Sequence, residues 1–242
     1  MSCDQIGSIV ILTGAGISKE SGLSTFRDTD GIWAKVRIED VATPEAFEKD
    51  PERVQEFYNA RRRGFLSESV QPNAAHQALA DLERRWSKDL LVVTQNIDDL
   101  HERAGTRSLV HMHGELLKVR CARTGQVYPW RRDVTPEDAC ECCGSTGTLR
   151  PNVVWFGEIP FDLDRIYAAL QCCSRFIAIG TSGQVHPAAG FVAEARRGGR
   201  ARTVLLNAEA TDTSPLFDEQ VLGPASRIVP EYVEKLLAEN RD

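Results

Sequence analysis

No apolar run in this chain approaches the roughly 20 residues needed to cross a bilayer, and Met1-Ser2-Cys3-Asp4-Gln5-Ile6-Gly7 has no basic region of the kind that opens a signal peptide. These two absences predict a cytoplasmic protein with no membrane partner. A basic excess is missing too: 29 Lys+Arg stand against 35 Asp+Glu, a net charge of −6. A sequence-independent nucleic-acid binder would carry a positive footprint, so nucleic acid is not an expected partner. Internal repeats and low-complexity tracts are also lacking. What is present is 242 residues, 42% of them hydrophobic, enough for one large domain or one domain with a small insert. Seven cysteines in a reducing compartment do not read as a disulfide framework. Four of them fall between Cys121 and Cys143, which points to metal or thiol chemistry there.

The stretch Ile9 to Trp33, IVILTGAGISKESGLSTFRDTDGIW, organises the rest. A β-branched apolar run, Ile9 to Leu12, stops at Thr13-Gly14-Ala15-Gly16, and polar residues with helical spacing follow. This reads as a strand, a glycine turn and a helix beginning near Ile17 and Ser18, whose free N–H groups would seat a pyrophosphate. The dinucleotide fingerprint G-x-G-x-x-G is incomplete, because Gly22 comes too late. A plain turn of a parallel α/β protein fits this stretch equally well.

Helical spacing recurs over Pro51 to Leu66 and over Asn73 to Trp86, where Asn73 is the N-cap and Ala75, Leu79, Leu82 and Trp86 form the buried stripe. Three further buried strands are expected at Leu90–Val93, Arg175–Ile179 and Arg202–Leu206, with a helix after Pro187 and a closing helix over Pro230–Glu239. Strands alternating with helices predict an α/β fold with a parallel doubly wound sheet, whose ligands sit outside the carboxyl ends of the strands. Polar clusters lie at those ends. Arg120 to Arg150, rich in Cys, Gly, Thr and Arg, interrupts the rhythm and reads as a small inserted module.

Gln95, Asn96 and Asp98 follow a strand directly and suit a polyhydroxylated ligand, although Asn96 and Asp98 also suit the cap of a helix running from Leu100 to Gly105. His111 and His113 stand at period two, so on one strand both would face the same way. A histidine of near-neutral pKa is the usual general base; a metal pair or two ordinary half-exposed histidines are the alternatives. Arg150-Pro151-Asn152-Val153-Val154-Trp155-Phe156-Gly157-Glu158 presents an apolar aromatic edge that could add an extended peptide as a strand, or be a buried core strand.

Taken in order, GAGISKESGLSTFR, TQNIDDLHERAG, HMHGEL, LRPNVVWFGE, IGTSGQVHPAAG, LLNAE and GPAS resemble the sirtuins, NAD-dependent protein deacylases, and most closely their bacterial branch. The resemblance spans nearly the whole chain. It implies a Rossmann-like NAD-binding catalytic domain over residues 1–119 and 151–242, with a zinc-binding module over 120–150 and a helical part of the small domain within 34–75. It places NAD, consumed as co-substrate, on Gly14, Ala15, Gly16, Ile17, Ser18, Phe26, Arg27 and Trp33, with the loop after Arg27 closing over it. Gln95, Asn96, Ile97 and Asp98 would line the ribose and nicotinamide pocket. Gly180, Thr181 and Ser182 would take phosphate or ribose, Asn207, Ala208 and Glu209 the adenosine ribose, and Ala225 the adenine edge. Val154, Trp155, Phe156, Gly157 and Glu158 would hold the substrate peptide.

The chemistry so implied is cleavage of the nicotinamide glycosidic bond. The acyl-lysine carbonyl oxygen attacks the anomeric carbon, His113 as general base activates a ribose hydroxyl that attacks the resulting imidate, and water releases lysine and O-acyl-ADP-ribose. Holding the reacting atoms in line supplies much of the rate. The family's first C-x-x-C pair is broken here, since Thr124 stands where a second thiolate belongs after Cys121. One structural zinc on Cys121, Cys140 and Cys143 is expected, its fourth ligand being Cys142, water or none, and weaker than a four-thiolate site. Sirtuins that remove succinyl or malonyl groups carry a Tyr-x-x-Arg pair, matched by Tyr58 and Arg61, which stand three apart on one helical face. The expected activity is removal of acetyl and succinyl groups from lysine, with acylated-lysine proteins or peptides as partners and a monomeric state. A non-catalytic dinucleotide sensor and a protein ADP-ribosylating enzyme are the competing readings.

Overall fold

A computed structural model describes residues 7–23, 36–197 and 201–239. Phe26, Arg27 and Trp33, and the closing loop expected after Arg27, lie outside the described residues.

Four apolar runs that lack any polar interruption become central strands: β1 (Ile9–Thr13), β2 (Leu90–Thr94), β7 (Arg175–Ile179) and β8 (Arg202–Asn207). Strands buried on both faces cannot alternate apolar with polar residues, and these do not. Two short strands whose sequence signal is weaker, β3 (Leu109–His111) and β9 (Glu219–Leu222), close the edges. All pair in parallel, in the order β3-β2-β1-β7-β8-β9. One face is covered by α3 (Ala74–Arg85) and α7 (Ala225–Glu239), whose Leu79, Leu82, Val229, Val233 and Leu236 pack on Ile9, Ile11, Val92 and Val204. The other is covered by α5 (Leu163–Cys172) and α6 (Phe191–Arg197) through Ile166, Leu170, Phe191 and Val192. Asn73 caps α3 with a reciprocal hydrogen bond to His76. The closing helix starts a turn and a half before Pro230, at Ala225, so that proline sits inside it. The order reverses between β1 and β7, which makes the crevice beyond their carboxyl ends the topological switch point.

A second, antiparallel sheet, β5-β4-β6, is formed by β4 (Gly114–Cys121), β5 (Val127–Pro129) and β6 (Leu149–Val153). Helices α1 (Pro44–Lys49) and α2 (Pro51–Phe65) pack on it, burying Val54, Phe57, Tyr58 and Phe65 against Leu116, Leu117, Val153 and Trp155. Each has a side-chain N-cap, Thr43 and Asp50, followed directly by proline. The run Arg61-Arg62-Arg63 splits three ways. Arg63 pairs with Asp133 at the surface, whereas Arg62 is fully buried and donates to the Leu116 carbonyl (3.1 Å) and to Asn59 (2.6 Å). Asn59 in turn exchanges hydrogen bonds with the backbone of Val134. Polar side chains on the inner face of α2 thus anchor the cysteine-bearing loops. The short α4 (Leu100–Ala104) follows β2.

Candidate active site

The polar clusters after β1, β2, β7 and β8 meet at the switch point. The segment after β1 is not an α-helix, as its spacing predicted, but two 3-10 turns, Ala15–Ile17 and Lys19–Ser21, ended by Gly22 in the left-handed region. The N–H groups of Ile17 and Ser18, expected to stay free, are used within the turn, Ile17 donating to Gly14 and Ser18 to Ala15, while Gly14 donates to Ile179 and Gly16 to Gly180. That leaves the N–H of Ala15 without an acceptor among the described residues. The glycines serve the packing of two loops. A Cβ on Gly16 would lie 2.7 Å from the Gly180 Cα, and one on Gly180, whose φ is +60°, would lie 2.4 Å from the Ile17 nitrogen. Only glycine lets the β1 and β7 loops touch at the crevice.

Gln95 spans that crevice, donating from Nε2 to Thr181 (3.0 Å), and Asn207 donates to the Thr181 carbonyl (3.1 Å). Beneath them, Ser18 is the hub of a buried network: it accepts from Asn96 Nδ2 (3.0 Å), donates to Asp98 (3.1 Å) and lies 3.4 Å from His76 Nε2. Asp98 divides its oxygens, one to Ser18 and one to the Leu100 N–H (3.1 Å), so the cap and the site are the same carboxylate. Burial pushes Asp98 up to about 6, against the opposing hydrogen bonds from Leu100 and Ser18. Burial holds His76 down at about 4, hence neutral, and drives His101, whose Nε2 lies 3.0 Å from Thr13 Oγ1, well below the histidine range. Sequence reading missed His76 and His101. Their signal was only a histidine at the third helical position after Asn73 and another just after the Gln95–Asp98 cluster. Ser182 lies in the β7 loop, Ile97 packs toward α2, Ala208 and Glu209 are exposed just beyond β8, and Ala225 opens α7.

The two histidines do not share a strand: β3 ends at His111, and Met112-His113 turn into β4. Gly114 permits the turn, with φ +81° and the Asn152 carbonyl 2.2 Å from where a Cβ would stand. His113 Nδ1 bonds the Gln95 carbonyl (3.1 Å), while its own carbonyl accepts from the Val154 N–H (2.9 Å). Burial lowers its pKa and the Gln95 carbonyl partly restores it. With a hydrogen bond to a carbonyl, Nδ1 carries the proton and Nε2 keeps its lone pair.

Beyond β6, residues 154–158 form a turn, and only Phe156 of its two rings is exposed, at 48%. Trp155 is buried: it lies under the Arg150 guanidinium, and its indole N–H donates to the Tyr58 hydroxyl (3.0 Å). The aromatic edge read from the sequence therefore exposes one ring and buries the other. Glu158 is turned inward, accepting from both guanidinium nitrogens of Arg150 and from the Trp155 N–H. Arg61 stands about 6 Å from the Phe57, Tyr58 and Phe65 rings. Burial lowers its pKa, while the charges of Tyr58 and Asp98 raise it.

Cys121, Cys140, Cys142 and Cys143 bring their sulfurs within 4.8 Å of one another. Cys121 and Cys143 are 3.8 Å apart and Cys140 and Cys142 3.3 Å. Tetrahedral zinc with Zn–S bonds of about 2.3 Å spaces its sulfurs by about 3.8 Å, so this donor set fits that ion. Cys142, left open as the fourth ligand, joins the other three, and Thr124, 2.9 Å from its sulfur, lies outside the set.

The Sir2 family model matches residues 14–187 of the chain. An NAD-dependent protein deacylase of Shigella flexneri is 60% identical over 229 residues, covering 95% of this chain and 84% of that protein. A solved Sir2 homologue in complex with NAD superposes with a TM-score of 0.85 at 40% identity, covering 96% of this chain and 90% of that one. A Sir2 protein bound to a myristoylated histone peptide superposes with a TM-score of 0.74 at 30% identity, covering 96% and 92%.

Proposed function

The chain belongs to the Sir2 family, the sirtuins, and from that membership we propose an NAD-dependent protein-lysine deacylase that removes acetyl and succinyl groups. Its products are nicotinamide, O-acyl-ADP-ribose and free lysine. The observation that carries this reading is the double attachment of His113: its ring is held by the loop assigned to NAD, at Gln95, and its carbonyl by the edge assigned to the peptide, at Val154. A group so placed can act on two substrates that react with each other.

Bound NAD supplies a weak glycosidic bond, whose nitrogen leaves with the electron pair as nicotinamide when the acyl oxygen bonds to the ribose carbon. His113 takes the proton of a ribose hydroxyl at Nε2, so that this oxygen can receive the acyl group. Gln95, Asn96 and Asp98 orient the ribose end, with Ser18 fixing the last two. Gly14 to Ser18, Gly180 to Ser182 and Asn207 to Glu209 hold the rest of the dinucleotide, and Ala225 the adenine edge. Tyr58 and Arg61 receive the distal carboxylate of a succinyl group. Burial raises the Tyr58 pKa, so the phenol keeps the proton it would donate. Cys121, Cys140, Cys142 and Cys143 hold one structural zinc in the 120–150 module, inserted into the domain formed by 1–119 and 151–242. The enzyme acts as a monomer on acylated-lysine proteins in the cytoplasm. No helix among the described residues is long and apolar enough to cross a membrane.

Mass spectrometry of an acetylated and a succinylated peptide, each with and without NAD, tests the reading. Nicotinamide and O-acyl-ADP-ribose in equal amounts are expected. ADP-ribosylated protein with the acyl group still on lysine would replace it by the transferase reading.

A further inference from the structure

Three consecutive carbonyls of the Gln95–Asp98 loop are each held by a different residue of the stretch from the end of β3 into β4. The Gln95 carbonyl meets His113 Nδ1 (3.1 Å), the Asn96 carbonyl meets His111 Nδ1 (3.2 Å), and the Ile97 carbonyl accepts from the Leu116 N–H (2.9 Å). The loop's conformation is thus set from outside, and His111 serves Asn96 as His113 serves Gln95. What separates the two histidines is the second nitrogen. His111 Nε2 lies 2.8 Å from Glu102 Oε1 on α4. A carbonyl oxygen at one nitrogen and a carboxylate oxygen at the other are both acceptors, and an imidazole satisfies two acceptors only when each nitrogen bears a proton.

We propose that Glu102 and His111 form a positioning pair: the carboxylate keeps the His111 ring doubly protonated, the ring fixes the Asn96 carbonyl and with it the cofactor loop, and the general-base role is thereby left to His113. The proposal rests on the assignment of this loop to NAD.

The remaining charged groups facing His111 fit this role. Glu115 on β4 adds a second carboxylate within 4.8 Å, and Lys118 on the same strand binds Glu115 at 2.6 Å. With that ammonium already on Glu115, the three groups work as an ion-pair cluster rather than as a ligand set for a metal. Asp98, inside the loop, feels the His111 charge, and His101 on α4 is repelled by it. The carboxylates raise the pKa of His111 above its ordinary value, although burial lowers it.

Ring nitrogen NMR on the wild-type protein without ligand, with the His111 signals assigned by their loss in His111→Phe, decides the protonation state. Both nitrogens of His111 should be protonated at pH 7, and only one of His113; a neutral His111 there would overturn the proposal even if deacylation proceeds normally. Kinetics then separate positioning from structure. Glu102→Gln should raise the KM for NAD about tenfold, the lower end for loss of a charge-assisted hydrogen bond, with kcat changed less than threefold. In the wild type KM should rise with pH as His111 loses its proton, and in Glu102→Gln that rise should move to lower pH. Glu102→Asp should restore part of the affinity. An unchanged KM and pH limb in Glu102→Gln would sink the pair. Absence of turnover in the wild type would sink the deacylase reading but leave the NMR result to stand.

Discussion

At the scale of single residues, the site works because environments separate side chains of the same type. His113 loses some basicity to burial, so it stays neutral and ready to accept a proton below the pH at which a free histidine would be half charged. His113→Ala should cut deacylation by about 10²–10⁴-fold, while equilibrium dialysis finds NAD binding nearly intact. Near-normal turnover at neutral pH would remove the base assignment. Arg61 is distinguished from its neighbours in the same way. Arg62 donates to Leu116 and Asn59 and Arg63 pairs with Asp133, whereas the Arg61 guanidinium lies 6.0 Å from the Tyr58 ring and interacts electrostatically with Asp98. On the proposed reading, a small neutral acyl group makes no ionic contact with Arg61, whereas a succinyl carboxylate would form a charge-assisted bond with it. Such bonds are worth roughly 1.5–3 kcal/mol, a factor of roughly 10 to 150. Arg61→Met should therefore lose that factor in kcat/KM on succinyl-lysine peptide and change little on acetyl-lysine peptide. An equal fall on both would assign Arg61 to the fold or to the cofactor loop.

Among elements, legibility followed the amount of local information. β1, β2, β7 and β8 were readable because strands buried on both faces are continuous apolar runs, and α3 because Ala75, Leu79, Leu82 and Trp86 repeat on one face above the Asn73 cap. β3 and β9 were not, since an edge strand of three or four residues carries too little pattern. The turns after β1 imitate a helix start in sequence; the end of β7 and its loop, far away in the chain, take up the N–H groups of Gly14 and Gly16, while those of Ile17 and Ser18 close the turn locally. Of the candidate site, the residues that meet at the crevice, among them Gln95, Asn96, Asp98, Thr181 and Asn207, could be singled out in the sequence, whereas the attachment of Gln95 and Asn96 to His113 and His111 depends on strands pairing side by side. The cysteines show the same limit: the sequence displays a broken C-x-x-C, and the fold brings Cys142 into the place that Thr124 cannot fill. Cys142→Ser should release zinc to a chromophoric chelator at lower chelator concentration than the wild type. It should also loosen α2, which Asn59 ties to Val134. Unchanged zinc retention would return the site to three thiolates and water.

For the whole molecule, the buried network under the site sets how stability depends on pH. His76 has a folded pKa of about 4 against 6.5 unfolded, so its contribution is present above 6.5 and is lost as the pH falls toward 4, when the unfolded chain binds a proton that the fold refuses. His101 acts in the same direction. Asp98 acts oppositely: its folded pKa of about 6 exceeds 3.8, so the fold binds the extra proton, and its contribution is present at low pH and lost as the pH rises through 6. From these three groups alone, between pH 6 and 4 Asp98 offsets one histidine and the other remains, a net loss of about 1.4 kcal/mol per pH unit on acidification. The cost of keeping Asp98 ionised at pH 7 is the same quantity read from the other side, roughly 2–3 kcal/mol. Asp98→Asn removes that cost and keeps an oxygen for the Leu100 N–H. The variant should unfold at higher denaturant concentration than the wild type at pH 7, lose the offset so that its stability falls more steeply between pH 6 and 4, and bind NAD less well. Ser18 then faces an amide, and the charge that Arg61 and His111 both sense is gone. A variant destabilised at pH 7 would mean that the hydrogen bonds from Ser18 and Leu100 outweigh the burial of the charge, and Asp98 would then belong to the scaffold rather than to a site held ionised against the fold's preference.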